Sequence, residues 1–94
     1  MNYVSWANIA TPKASGYLQQ LCKHFGHKVE VEFTPSVGKI LFPFGNAELS
    51  ADENQLVMNL QAKDAEALTK LQQVMSSHLI RFAFREDLNI EWSN

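Results

Sequence analysis

Ninety-four residues, 46% of them hydrophobic and 19% charged, describe a single domain over 1–94 with a core of its own and leave no room for a second. Eight lysines and arginines against ten acidic residues give a formal net charge of -2, which argues against a protein that holds nucleic acid by its phosphates. No apolar run approaches the ~20 residues of a membrane-spanning helix, and residues 1–10 lack the basic start and apolar core of a secretory signal. The expected setting is therefore cytoplasmic, with neither membrane nor nucleic acid as a partner. A single cysteine, Cys22, excludes an intrachain disulfide, so stability must come from the apolar core or from a partner subunit.

In chain order, β-branched and aromatic residues over Tyr3–Ala10 predict a strand, which Pro12 closes. Thr11 then reads as the N-cap of a helix with Pro12 at its first position. Ala14, Leu18, Leu21 and Phe25 recur at helical spacing with Tyr17 beside them, and Gly26 is the expected C-cap. Gly16 inside this helix costs about 1 kcal/mol relative to alanine, a sign of either close packing or tolerance.

From Val29 the period becomes two. Val29, Val31 and Phe33 alternate with Glu30 and Glu32, and Thr34–Gly38 supplies a turn. In the next strand Ile40, Phe42 and Phe44 alternate with Lys39, Leu41 and Pro43. Pro43 suggests an edge or a bulge, and Gly45-Asn46 turns the chain into a strand over Ala47–Ala51. After a turn at Asp52-Glu53-Asn54, Leu56, Met58, Leu60 and Ala62 alternate with Gln55, Val57, Asn59 and Gln61, completing a four-strand meander. Asp64 is the expected N-cap of a second helix, whose stripe runs through Ala67, Leu68, Leu71, Val74, Met75, His78, Leu79 and Phe82. Leu88, Ile90 and Trp92 alternate with Asp87, Asn89 and Glu91, a short final strand returning to the sheet.

The order β-α-β-β-β-β-α(-β) predicts an α+β fold of two layers, with both helices on one face of an antiparallel sheet. This arrangement resembles the TATA-box-binding-protein-like fold. The opposite sheet face would carry Glu30, Glu32, Lys39, Leu41, Pro43, Glu48, Val57, Asn59 and Gln61. Its net charge is negative, the wrong sign for phosphates. Leu41 and Val57 on that face, with strand ends near Pro43 or Trp92, suggest self-association into a homo-oligomer.

Three groups of residues bear on chemistry. Cys22, His24 and His27 form a C-x-H-x2-H cluster of metal-ligand type, but helical residues two apart point about 200° away from each other, so Cys22 and His24 share an ion only if the helix unwinds. The bland reading is a packed Cys22, with His24 and His27 at the negative end of the helix dipole. That position also disfavours a thiolate, and with it a cysteine nucleophile. His78, Arg81 and Arg85 are the candidate ligand-binding residues. Two guanidiniums four apart share a face if the helix continues, and could clamp a carboxylate or phosphate. The bland alternative is a partly buried His78 bonded to backbone, with the arginines paired to Glu86, Glu30 or Glu32. Phe42 and Phe44 read as core rather than as a base-stacking platform. Phosphate-binding glycine loops, zinc-protease and serine-hydrolase signatures are absent, and no catalytic residue or cofactor is assigned.

Thr11-Pro12-Lys13-Ala14-Ser15 and the run Tyr17–Lys28, then Phe42-Pro43-Phe44-Gly45, then His78-Leu79 with Arg81–Glu86, together resemble the bacterial domain-of-unknown-function family 2218 over nearly the whole chain. The resemblance implies no established activity. It implies a loose association with iron and siderophore utilisation, and its blocks fall on Cys22, His24, His27, His78, Arg81 and Arg85 without roles. Gly16 stands where the family pattern more often has a long basic side chain, which weakens any anion site drawing on that position. The resulting expectation is a non-enzymatic binding module for a small ligand or protein partner. The alternative is a metal- or iron/siderophore-linked accessory protein using Cys22 and the histidines, and a catalytic thiol ranks last.

Overall fold

The computed structural model describes residues 3–94. Alternation in the sequence becomes alternation in burial: along β1 (Tyr3–Ala10), Ser5, Ala7 and Ile9 are buried while Val4, Trp6 and Asn8 face out. α1 (Ala14–Phe25) buries Ala14, Tyr17, Leu18, Leu21, Cys22 and Phe25. β2 (Glu30–Phe33), β3 (Val37–Phe42), β4 (Gly45–Ala51) and β5 (Gln55–Ala62) form the expected meander. β1 pairs antiparallel with β5, so the strand order is β1-β5-β4-β3-β2. α2 (Ala65–Phe82) is capped by Asp64, whose carboxylate accepts from the Ala67 N–H at 2.7 Å. The buried residues of both helices join the inner residues of the strands in one core, so both helices lie on the same sheet face. None of the described helices is long and apolar enough to cross a membrane.

Three expectations change and one open alternative is settled. α1 begins at Ala14 with Lys13 at the N-cap and no side-chain cap, because the Thr11 hydroxyl accepts from the Lys13 N–H and donates to Glu86 instead. Pro43 and Phe44 form the two-residue turn of the β3–β4 hairpin, and Gly45-Asn46 already belong to β4. Pro43 is thus neither on the outer face nor at a sheet edge, and Phe44 lies beyond the strand, its ring stacked on Phe42 at 5.3 Å. A turn suits proline because no ladder partner needs its missing N–H. Leu88, Ile90 and Trp92 keep their alternation as half-buried residues, yet form no strand. The Trp92 indole N–H donates to Ser76 Oγ on α2 at 2.8 Å, and only Ser93 reaches the sheet, exchanging two backbone hydrogen bonds with Trp6. Last, an added Cβ at Gly16 would meet nothing within 4 Å, so tolerance and not close packing explains that glycine.

Two other glycines are demanded by geometry. A Cβ on Gly38 would stand 2.8 Å from Cys22 Sγ and 3.2 Å from Leu18 Cδ2, so α1 rests directly on the β3 backbone there. At Gly45, a Cβ would run into the Gln61 carbonyl oxygen and Leu71 Cδ1, which closes β4 against β5 beneath α2.

The other sheet face has no helix over it. Register places Trp6, Asn59, Glu48, Lys39 and Glu32 in one row across the five strands, and Val4, Gln61, Asn46, Leu41 and Glu30 in the next.

Candidate functional site

His24 and His78 are far apart in sequence but meet where α1 ends against α2, with ring centroids 4.9 Å apart. Local structure explains both positions. His24 lies in the last turn of α1 with Lys23, where cations complement the helix dipole, and its ring leans edge-on against Phe25 and Phe82. His78 sits at the rim of the α2 stripe, half-buried, with Nδ1 2.7 Å from the Val74 carbonyl. A carbonyl only accepts, so Nδ1 carries the proton and donates, and Nε2 is left for a ligand. Phe25 touches the His78 ring and passes the contact to Phe42, Phe44 and the Lys70 ammonium.

The surroundings of this pair are cationic. Partial desolvation lowers the pKa of His24 from the ordinary imidazole value, and the neighbouring positive groups of His78, Lys28, His27 and Arg81 lower it further. Arg85 takes no part: α2 stops at Phe82, the chain turns, and the Arg85 guanidinium lies 5.4 Å from the Phe84 ring centroid. The condition for a two-arginine clamp is not met.

Cys22 points the other way. It is fully buried, and burial pushes its thiol up to about 11, so it is protonated at neutral pH. His24 and His27 are exposed. Among the described residues, no group of three or more His, Cys, Asp or Glu is placed to hold a metal ion. The sequence spacing C-x-H-x2-H therefore joins residues that the fold separates.

Glu86, one of the carboxylates that the bland alternative offers to the arginines, has other partners in the fold. Its carboxylate accepts from the Thr11 hydroxyl at 2.9 Å and from the Tyr17 hydroxyl, tying the turn after α2 to the start of α1. These two donors, with Lys13 nearby, hold Glu86 below the usual carboxylate range. Tyr17 is pushed up to about 12, first by burial and then by the Glu86 charge. A lowered carboxylate pKa contributes stability above the unfolded value of about 4.3, lost as pH falls through the folded value; the raised phenol contributes stability below about 10, lost as pH rises toward 12. Tyr17→Phe is expected to flatten the loss of melting temperature between neutral pH and pH ~3, and to remove the phenol's share of the alkaline loss. An unchanged acid limb would show that Glu86 holds the turn without Tyr17.

The model of domain-of-unknown-function family 2218, described as uncharacterised proteins conserved in bacteria, matches residues 6–93. The NMR structure of PA4090 from Pseudomonas aeruginosa is similar at 41% identity and a TM-score of 0.83, over 97% of this chain and 95% of that one. No curated protein matches. With the match extending from Trp6 in the middle of β1 to Ser93, which bridges back to it, the chain belongs to the uncharacterised bacterial family 2218.

Proposed function

We propose that the domain is a non-catalytic binding module that grips an anionic group, a carboxylate or phosphate on a small ligand or displayed by a partner, between α1 and α2. The observation that carries this reading is the contact of His24 with His78 in a setting where His27, Lys28 and Arg81 all add positive charge. Two imidazoles alone would equally suit a metal ion. Cationic neighbours repel a cation and attract an anion, and the thiol that would complete a soft metal site is buried beneath α1. Cys22 is likewise no nucleophile, which supports a binding role. His78, held by its Nδ1–H bond, turns Nε2 outward, which donates to an anion only once it too carries a proton, while Arg81 supplies a permanent charge.

The pH dependence follows from the charges. Neighbouring cations suppress protonation of His24, and a bound anion counters them, so binding strengthens as falling pH protonates the ring, below the ordinary imidazole range in the free protein. Inorganic phosphate is expected to raise the melting temperature at pH ~6 above that in chloride of equal ionic strength, and to raise the NMR titration midpoint of His24. The pH ~6 gain should disappear in His24→Gln and Arg81→Gln. Equal effects of phosphate and chloride would overturn the reading, and so would stoichiometric zinc lost in His24→Gln.

A further inference from the structure

The open face of the sheet carries a second constellation that the helix-end site does not use. A hollow of about 320 Å³ lies over β1, β5 and β4, lined by Trp6, Asn46, Glu48, Asn59 and Gln61 among others. Asn46 stands beside Gln61 and Glu48 beside Asn59 on neighbouring strands, while Trp6 is the cross-strand partner of Asn59. The four polar side chains thus form a grid of about 4.8 Å across the strands and roughly 6.6 Å along them. Trp6 borders the grid as a residue 43% exposed, a large aromatic left partly in water where the same strand buries Ala7 and Ile9.

The chemistry of the lining selects a ligand. Each side-chain amide both donates and accepts, as each sugar hydroxyl does, and the Glu48 carboxylate accepts two further bonds. An indole offers an apolar surface for the C–H face of a ring. Glu48 stands against anions, while Lys39, its partner on the next strand and also the partner of Glu32, weakens the attraction of the carboxylate for cations. A larger hollow of about 630 Å³ adjoins through Glu48 and Asn59, leaving room for a ligand of more than one ring. From this juxtaposition we infer that the open sheet face binds a neutral polyhydroxylated ring, a saccharide, stacked on Trp6 and hydrogen-bonded by Asn46, Glu48, Asn59 and Gln61.

This site lies on the side of the sheet away from both helices and does not rest on the anion reading. The test is an NMR titration of the full chain with glucose, galactose, N-acetylglucosamine and their disaccharides up to tens of millimolar, with adenosine as the competing planar ring. At least one sugar is expected to give saturable shifts of the Trp6 indole N–H and of the Asn46, Asn59 and Gln61 amides, leaving the Trp92 indole unmoved. Trp6→Ala should weaken binding by about tenfold or more, and Asn59→Ala severalfold, both with unchanged fold because neither side chain enters the core. No saturable shift with any sugar overturns the inference. Saturation by adenosine alone, a Trp92 shift equal to that of Trp6, or unweakened binding in folded Trp6→Ala does the same.

Discussion

Gly38→Ala is expected to lower the unfolding free energy by about 1–3 kcal/mol, although alanine adds one methyl group to an interior strand that ordinarily favours it over glycine. The added Cβ would stand 2.8 Å from Cys22 Sγ, closer than real Cβ contacts fall, with Leu18 Cδ2 at 3.2 Å blocking one direction of escape. Cys22 is fully buried, so its sulfur has little space to move into. Cys22→Ala alone removes a packed atom and should cost about 1 kcal/mol. Together, the alanine at position 38 grows into the space the sulfur leaves. The double variant should therefore be more stable than the sum of the two losses predicts, by at least about 0.5 kcal/mol. Urea unfolding of the four proteins in the cycle measures this. Additive losses would mean that Leu18, not Cys22, sets the limit at Gly38.

Trp92→Ala should cost about 2–3 kcal/mol, below the range for a fully buried tryptophan because the ring is only half-buried against the core. Part of the loss is apolar contact and about 1 kcal/mol is the indole hydrogen bond to Ser76. For a chain of this size the melting temperature should fall by roughly 10–20 °C. Ser76→Ala, which removes the acceptor and keeps the ring, should cost only about 1 kcal/mol. The consequence reaches the sheet. Trp92 holds the segment that lets Ser93 bond both backbone groups of Trp6, so its removal should leave those groups on β1 open to water or to another chain. Faster amide exchange at Trp6 and concentration-dependent sedimentation of Trp92→Ala are the expected readouts. A melting temperature within a few degrees of the parent's would show that the strap is held by Leu88 and Ile90 instead.

The parts of the fold legible in the sequence are those where one periodicity runs uninterrupted. β1, β5 and α2 follow their alternation or stripe to within a residue, and Asp64 caps α2 because an aspartate before an apolar stripe has few better uses. What failed depended on distant residues. Thr11 has the identity of an N-cap, but its oxygen accepts from the nearby Lys13 N–H and its hydroxyl donates to Glu86, near the other end of the chain. Pro43 and Phe44 continue the alternation of β3 in the text of the sequence, and only the hairpin's two-residue turn breaks it. At the candidate site the pattern was similar. The sequence points to His78 and Arg81 on α2, yet groups His24 with Cys22 and His27, its neighbours in sequence, although the imidazole it meets in space is on the other helix. Periodicity reports which face a residue occupies, and no local signal reports which helix end that face will meet. Of the Trp6 constellation, alternation alone places Glu48, Asn59 and Gln61 on the open face, and only the register brings Trp6 and Asn46 beside them.

The packing of Cys22 also makes the molecule its own probe of rare opening. With one thiol in the chain, shielded by α1 and kept protonated by burial, an alkylating reagent reaches sulfur only when the helix lifts from β3. The modification rate then equals the exposed-thiol rate multiplied by the fraction of time spent open, and a trace of reagent reads that fraction under fully native conditions. Ligands that clamp α1 against α2 should slow this clock, whereas a ligand on the open sheet face should slow it only through its contribution to the stability of the whole domain.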